Sequence, residues 1–304
     1  MSKKVIAVHD GLFHADELVA VSLWLLAHPG EVYAIIRTRD VEALAAADVV
    51  MDVGSEYNPE TLRFDHHQTE CPVHQGTDGI KYAATGLVWD FVKDGISHIY
   101  FGGLNVVPFY EFQDRITNQL ILGIDAQDNG QTVRGEGVHQ FTLGELVKTM
   151  NCSNVRSAEQ EVVFNQLIEV TKTWLDKYLK NTAQAVKDKY VVLDAAAKAE
   201  NGVLVLPGFS PVWKEVCLTE GLPIKVCLVD AGRGEWSITS ALREAGSLVP
   251  LCPAPAELRG AQAADNKTLG GCPVVFIHKA GFTGKVKADN LDQALAAARA
   301  WVGA

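Results

Sequence analysis

Carboxylates and imidazoles stand at the ends of three short apolar runs. Val5-Ile6-Ala7-Val8 leads straight into His9-Asp10-Gly11-Leu12-Phe13-His14-Ala15-Asp16, Val49-Val50-Met51 ends on Asp52, and Arg63-Phe64 precedes Asp65-His66-His67-Gln68. Asp oxygens and His nitrogens are the ligands that Mn²⁺, Mg²⁺ or Zn²⁺ take. A lone Asp-His-His reads equally well as a polar loop. Three such clusters at strand ends favour a metal-dependent hydrolase.

A two-ion hydrolytic site needs a bridging carboxylate, further carboxylates or imidazoles on each ion, and open positions for water and substrate. Asp52, alone at the end of a strand, is the natural bridge; the competing role is a turn residue ahead of Gly54-Ser55. His9 and Asp16 flank Gly11, whose backbone freedom lets both face one cleft. Asp16 also suits a helix N-terminus, and His9 a hydrogen-bonded core position. Asp10 and His14 are candidates either for ligands or for orienting one. The economical division of Asp65-His66-His67 gives His66 an ion and makes Asp65 its orienting partner or a further ligand. His67 is then left for the scissile phosphate or for protonating the leaving group. Asp125 completes the second ion's shell, with Asp128 and Asn129 in support.

Other signals are weaker. Arg37-Thr38-Arg39-Asp40 supplies either a phosphate clamp or a solvated surface pair. Ala280-Gly281-Phe282-Thr283-Gly284-Lys285 could bind an anion through exposed N–H groups, though such loops more often just join a strand to a helix. His28, His74, His98 and His139 lack ligand-like neighbours and read as surface or loop residues. Cys71 lies near the Asp-His-His segment without a further signal. There is no P-loop and no dinucleotide fingerprint.

The elements that must position these residues follow from periodicity. Strands at 5–8, 32–36 and 48–52 alternate with helices at 15–27 and 41–47, an order that predicts a parallel sheet with sites at the strands' carboxyl ends. A helix over 83–93 follows. Phe109, Phe112, Ile116 and Leu120 start another that runs towards Asp125, placing Asp125, Asp128 and Asn129 on one face and stopping at Gly130. The longest helical pattern, 157 to about 188, begins at a Ser157/Gln160 capping box and reads as a bridge between domains. Strand-like runs at 203–206, 224–229, 236–241 and 273–278 and a helix at 291–302 complete a smaller α+β domain. The fold class is α/β: a mainly parallel-sheet first domain over 1–188, then 189–304.

With 304 residues, 48% apolar and 21% charged, the chain has material for two cores. A net charge of −10 leaves no basic footprint for tight duplex binding. Bound cations would reverse that sign locally, so a cleft for short oligonucleotides stays open. Six scattered cysteines without a CxxC pair read as reduced thiols. Neither a signal peptide nor a membrane-length apolar run is visible, so a soluble cytoplasmic protein without membrane partners is expected. Oligomeric state is not encoded in any of these patterns.

Six motifs together resemble the melanocyte-proliferating-gene exonuclease family of the DHH phosphoesterase superfamily, over nearly the whole chain. They are His-Asp-Gly-x-Phe-His-x-Asp-Glu at 9–17, Arg-Thr-Arg-Asp at 37–40, Asp-Val-Gly at 52–54, Arg-Phe-Asp-His-His-Gln at 63–68, Asp-Ala-x-Asp-Asn-Gly at 125–130 and His-x-x-Gly-Phe-x-Gly at 278–284. The resemblance implies a DHH-type catalytic domain carrying two Mn²⁺ or Mg²⁺ ions, with a C-terminal domain that closes the cleft. His9, Asp16, Asp52, His66 and Asp125 map onto metal ligands and His67 onto a phosphate contact. The C-terminal glycines place His278, Gly281, Phe282, Thr283 and Gly284 at the substrate. His14 stands where many superfamily members have aspartate, and Lys285 where the family often has a second glycine.

The implied activity is 3′-to-5′ exonucleolytic cleavage of RNA or short oligonucleotides. Two alternatives share the residues: hydrolysis of a small phosphate compound such as pyrophosphate or a cyclic dinucleotide, and a non-catalytic metal- or nucleotide-binding regulator.

Overall fold

Ile6, Ala7 and Val8 are fully buried, as a strand covered on both faces requires. They belong to β1 (Lys4–Val8), the second strand in a five-stranded sheet. α1 (Ala15–Ala27), β2 (Tyr33–Arg37), α2 (Val41–Ala46) and β3 (Val49–Met51) follow, then the short β4 (Tyr57–Asn58) and β5 (Arg63–Phe64). The strand order is β2-β1-β3-β5-β4. β1 pairs in parallel with β2 and β3, β3 in parallel with β5, and β4 antiparallel to β5, so the sheet is mixed. The computed structural model describes residues 3–75, 79–101, 106–131, 141–247 and 249–303; His139 lies outside them.

The helices after the sheet are α3 (Ala84–Phe101), α4 (Val106–Ile116), α5 (Leu122–Asp128), α6 (Leu143–Thr149) and α7 (Ala158–Ala197). α3 outruns the expected end at Lys93, because Ile96 and Ser97 are buried and carry it past Gly95. The helix expected from Phe109 onwards is interrupted by a π-helical turn at Thr117–Ile121 before α5. Such turns rotate the side chains that follow and recur at functional sites.

Two compact units result, Met1–Ala183 and Gln184–Ala304, with the division falling inside α7. α7 continues beyond the expected Asp188 because Val192, Leu193, Ala195 and Ala196 pack into the second unit's core.

In that unit stand β6 (Val203–Leu206), α8 (Trp213–Thr219), β7 (Val226–Gly232), β8 (Glu235–Ser240), β9 (Thr268–Leu269), β10 (Cys272–Ile277), β11 (Thr283–Lys287) and α9 (Leu291–Val302). Its six-stranded sheet has the order β6-β7-β8-β11-β10-β9, with only β6 and β7 parallel. The glycine-bearing segment at 280–285 is therefore the turn and start of a β10–β11 hairpin, not a strand-to-helix connection. No helix among the described residues is long and apolar enough to cross a membrane.

Candidate metal centre

His9 follows β1 directly and is 4% exposed. Its Nδ1 lies 3.0 Å from the carbonyl of Asp10, while Nε2 lies 3.1 Å from Glu17 Oε1 and 3.3 Å from Asp52 Oδ2. The carbonyl accepts a hydrogen bond from Nδ1–H, leaving the Nε2 lone pair for an ion. With no ion bound, burial lowers the imidazole's pKa, but hydrogen bonds to Asp52 and Glu17 outweigh it and push it up to about 11.

Asp16 lies in the first turn of α1, yet its carboxylate serves a different helix. It accepts from Ala84 N at 2.9 Å and Thr85 N at 2.7 Å, the first amides of α3. That satisfies orphan donors of a buried helix start. Burial first, then the charges of Asp52, Asp128 and Asp125, hold its pKa well above the usual carboxylate range. Glu17, not among the residues expected at the centre, is fully buried, and burial likewise raises its pKa. Its carboxylate accepts the His14 N–H at 2.9 Å as well as facing His9. The His14 ring is about half exposed, with its centroid 5.4 Å from that of His9.

Asp52 ends the β3 segment in the left-handed region at φ 54°. Asp tolerates that conformation better than most residues, and here it aims a buried carboxylate back under His9 and His66. Those two imidazoles, His66 ahead of His9, overcome the burial that raises its pKa and bring it below the ordinary range. Asp65 is saturated: it accepts from Ser55 N, His66 N and His67 N, and from His67 Nδ1 at 2.7 Å. Its carboxylate therefore orients the two histidines. His66 is buried, with Nε2 3.2 Å from Asp128 Oδ2 and 3.4 Å from Asp52 Oδ1. Burial lowers its pKa, and Asp128 and Asp52 override that to reach about 11. The His67 side chain is 58% exposed, with only Nδ1 anchored.

Asp125 and Asp128 separate. Asp125 is fully buried, with Oδ2 2.6 Å from His74 Nε2 and Oδ1 accepting from Gly86 N at 3.1 Å. Burial pushes it up to about 6 against the opposing pull of His74. Asp128 instead gathers with Asp16 and His66. Asn129 donates to the carbonyls of Lys81, Tyr82 and Asp125, tying the loop before α3 to α5. His74, expected at the surface, is 6% exposed and stacks on Tyr82 with ring centroids 3.7 Å apart. Burying a loop imidazole is tolerable here because Asp125 supplies its hydrogen-bond partner.

Among the described residues, three groups of ligand atoms each fall within 4.8 Å: His9, His14, Glu17 and Asp52; Asp52, Asp65, His66 and His67; and Asp16, His66 and Asp128. Asp52 and His66 each belong to two groups. Asp52 Oδ1 and His66 Nε2 are buried without a hydrogen-bond partner, although they lie 3.4 Å apart. Orphaned buried polar atoms are costly. Donors this close yet not aligned on one another suit a shared cation. The set is all oxygen and imidazole nitrogen, which fits Mn²⁺ or Mg²⁺ better than a thiolate-preferring ion. His9, His14, Asp16, Asp52, His67 and Asp128 line a cavity of about 680 Å³.

The remaining candidates divide. Arg37 is buried between the Phe13 and Phe164 rings and bonds to Glu161 and the Gly11 carbonyl, so it is no phosphate clamp. Arg39 lines the cavity, its Nε 3.1 Å from Asp10 Oδ1. Asp40 caps α2. His28 stacks on Trp24, and His98 lies in α3 beside Phe109. In the second unit His278 packs on Phe282, Thr283 bonds to Thr239, and Gly281 turns the hairpin at φ 71°. A Cβ on Gly284 would meet Ile277 Cγ1 and Phe276 O at 2.8 Å, so its backbone is packed against the sheet. Lys285 pairs with Glu235 at 3.1 Å.

Comparison with known proteins finds relatives that match most of the chain. A human MYG1 exonuclease is 27% identical over 314 residues, covering 93% of this chain and 82% of that protein. A MYG1 protein of Dictyostelium discoideum is 26% identical over 307 residues, 93% and 92% of the two chains. One from Chlamydia trachomatis is 34% identical over 146 residues, 48% and 44%. The MYG1 exonuclease family model, described as an uncharacterised protein family (UPF0160), matches residues 5–301, and the chain belongs to that family.

Proposed function

We propose that the protein is a divalent-metal-dependent phosphoesterase of the DHH type, a 3′-to-5′ exonuclease on RNA or short oligonucleotides. One observation carries the reading: the buried Asp52 Oδ1 and His66 Nε2, close to each other and to further carboxylates without an aligned hydrogen bond. The exonuclease names of the mammalian relatives agree with it. His9, His14, Glu17 and Asp52 would hold one ion, and Asp52, His66, Asp16 and Asp128 the other. Asp125 then acts as support through its bonds to His74 and Gly86.

Bound Mn²⁺ or Mg²⁺ would neutralise the phosphoryl group and acidify the attacking water. The chain's own residues do the rest. Asp65 fixes His67 Nδ1 and leaves the other ring nitrogen facing the cavity, where it contacts phosphate and returns a proton to the leaving oxygen. The Asp52 and Asp16 carboxylates, rigidly held by a strand end and a helix start, keep the centre's geometry without reorganisation.

Stepwise shortening of a 5′-labelled oligonucleotide from its 3′ end, dependent on Mn²⁺, is the test. Asp52→Asn and His66→Ala proteins should lose that activity by at least two orders of magnitude. Equal activity in either variant would refute the assignment.

A further inference from the structure

The lining of the cavity is not all carboxylate and imidazole. Leu12, Phe13 and Ile124 give it apolar surface, Gln127 an amide, and Arg39 and Lys148 two cations. Cations run against the trend of this unit. Residues 1–183 hold 14 Lys and Arg against 25 Asp and Glu, whereas residues 184–304 hold 13 against 12. Lys148 is exposed and has no ion-pair partner among the described residues. Arg39 uses only Nε on Asp10, which leaves its terminal amino groups for another anion.

The helix that carries Lys148 is also held in place. Asn151, just past α6, accepts from Phe13 N and donates to Phe13 O, both at 3.0 Å. Gln160 clamps the same junction, donating to Asn151 Oδ1 at 2.6 Å and to the Gly11 carbonyl at 3.0 Å. At the other end of α6, Gln127 Nε2 donates to Thr142 Oγ1 at 2.9 Å, and a Cβ on Gly144 would strike that amide at 2.4 Å. The helix bearing Lys148 is thus fixed to the loop bearing His9 and His14 at one end and to α5 at the other.

We propose that Lys148, with Arg39, binds the phosphate next to the scissile one, so that the centre selects single-stranded polynucleotide over inorganic phosphoanhydrides. A cavity of about 680 Å³ with a partly apolar wall suits an organic ligand of nucleotide size or more. Pyrophosphate would leave that wall unused. Lys148 is then a specificity-determining residue, acting through substrate affinity. The inference rests on the phosphoesterase reading above.

The test compares full-length, Mn²⁺-loaded wild type with Lys148→Gln and Arg39→Gln on three substrates: oligoadenylate, bis(p-nitrophenyl) phosphate and pyrophosphate. For each variant, the loss of kcat/KM should be at least tenfold greater on oligoadenylate than on bis(p-nitrophenyl) phosphate, which carries no neighbouring phosphate. It should appear mainly in KM. The slope of log kcat/KM against log salt should flatten by about 0.7 for each lost contact. Lys148→Arg should restore both. Equal losses on the two diesters, an unchanged salt slope, or faster wild-type turnover of pyrophosphate than of oligoadenylate would overturn the inference while leaving a phosphoesterase. Wild type inert on all three substrates would instead remove the phosphoesterase reading, and this inference with it.

Discussion

Replacing Gly86 by alanine should destabilise the first unit, although the same change two and a half turns along the same helix should stabilise it. In an exposed helix interior, alanine is favoured over glycine by about 0.8–1 kcal/mol. Gly95 is exposed with nothing within 4 Å of a built Cβ, so Gly95→Ala should gain about that much. At Gly86 the methyl would sit 2.0 Å from Asp125 Oδ2, 2.7 Å from Tyr82 Cδ1 and 2.9 Å from Asp125 Cγ. Asp125 must retreat by more than 1 Å, yet it is fully buried and bound to both His74 and Gly86 N. Overpacking costs roughly 1–3 kcal/mol, and an unmade buried hydrogen bond roughly 1–3 more. Less the helix gain, the net loss is roughly 1–5 kcal/mol. At about 2–4 °C per kcal/mol for a unit of this size, the melting temperature should fall by roughly 2–20 °C. Urea unfolding and thermal melts of both variants, with and without Mn²⁺, read this directly. If Gly86→Ala proved as stable as Gly95→Ala, Asp125 would not be held as described.

Three further outcomes follow from the same geometry. Mn²⁺ at a hundredfold excess over its Kd should stabilise the protein by about 2.7 kcal/mol, and Asp52→Asn should abolish the shift; a melting temperature indifferent to both Mn²⁺ and EDTA would remove the metal centre. Asp128→Asn should weaken Mn²⁺ binding at least tenfold in a calorimetric titration with little effect on folding, because Asp128 gathers with Asp16 and His66 at the edge of the cavity, whereas Asp125→Asn should act first on stability through its His74 contact. In the second unit, burial raises the thiol of Cys217 to about 11 and that of Cys227 to about 12, from an ordinary 9.0. Because the folded values lie above the unfolded one, their stabilisation is complete below about pH 9 and lost as pH rises through 11 and 12. Denaturation midpoints at stepped pH should therefore decline less in Cys227→Val than in wild type over that range, and parallel declines would count against buried thiols as the cause.

Some of the centre could be read from residue order, and the rest could not, for definable reasons. His9, Asp52 and the Asp65–His67 triplet sit at the ends of strands, where chain direction alone delivers them to one edge of the sheet. Asp16 was legible as a helix-terminal carboxylate, but the helix it caps starts 68 residues later at Ala84, a pairing that only packing reveals. Glu17 stands at the third position of a helix, where a glutamate reads first as a capping residue. His74 comes from a stretch without periodicity and meets Asp125 across 51 residues. The choice between Asp125 and Asp128 turned on the π-helical turn at Thr117–Ile121. One residue inserted into a helix swings everything after it by about 100°, so periodicity counted from Phe109 could place both acids on one face but not say which would reach His66. A substitution that restored regular α-helical winding across 117–121 would therefore move Asp128 away from His66, even though it lies outside the centre.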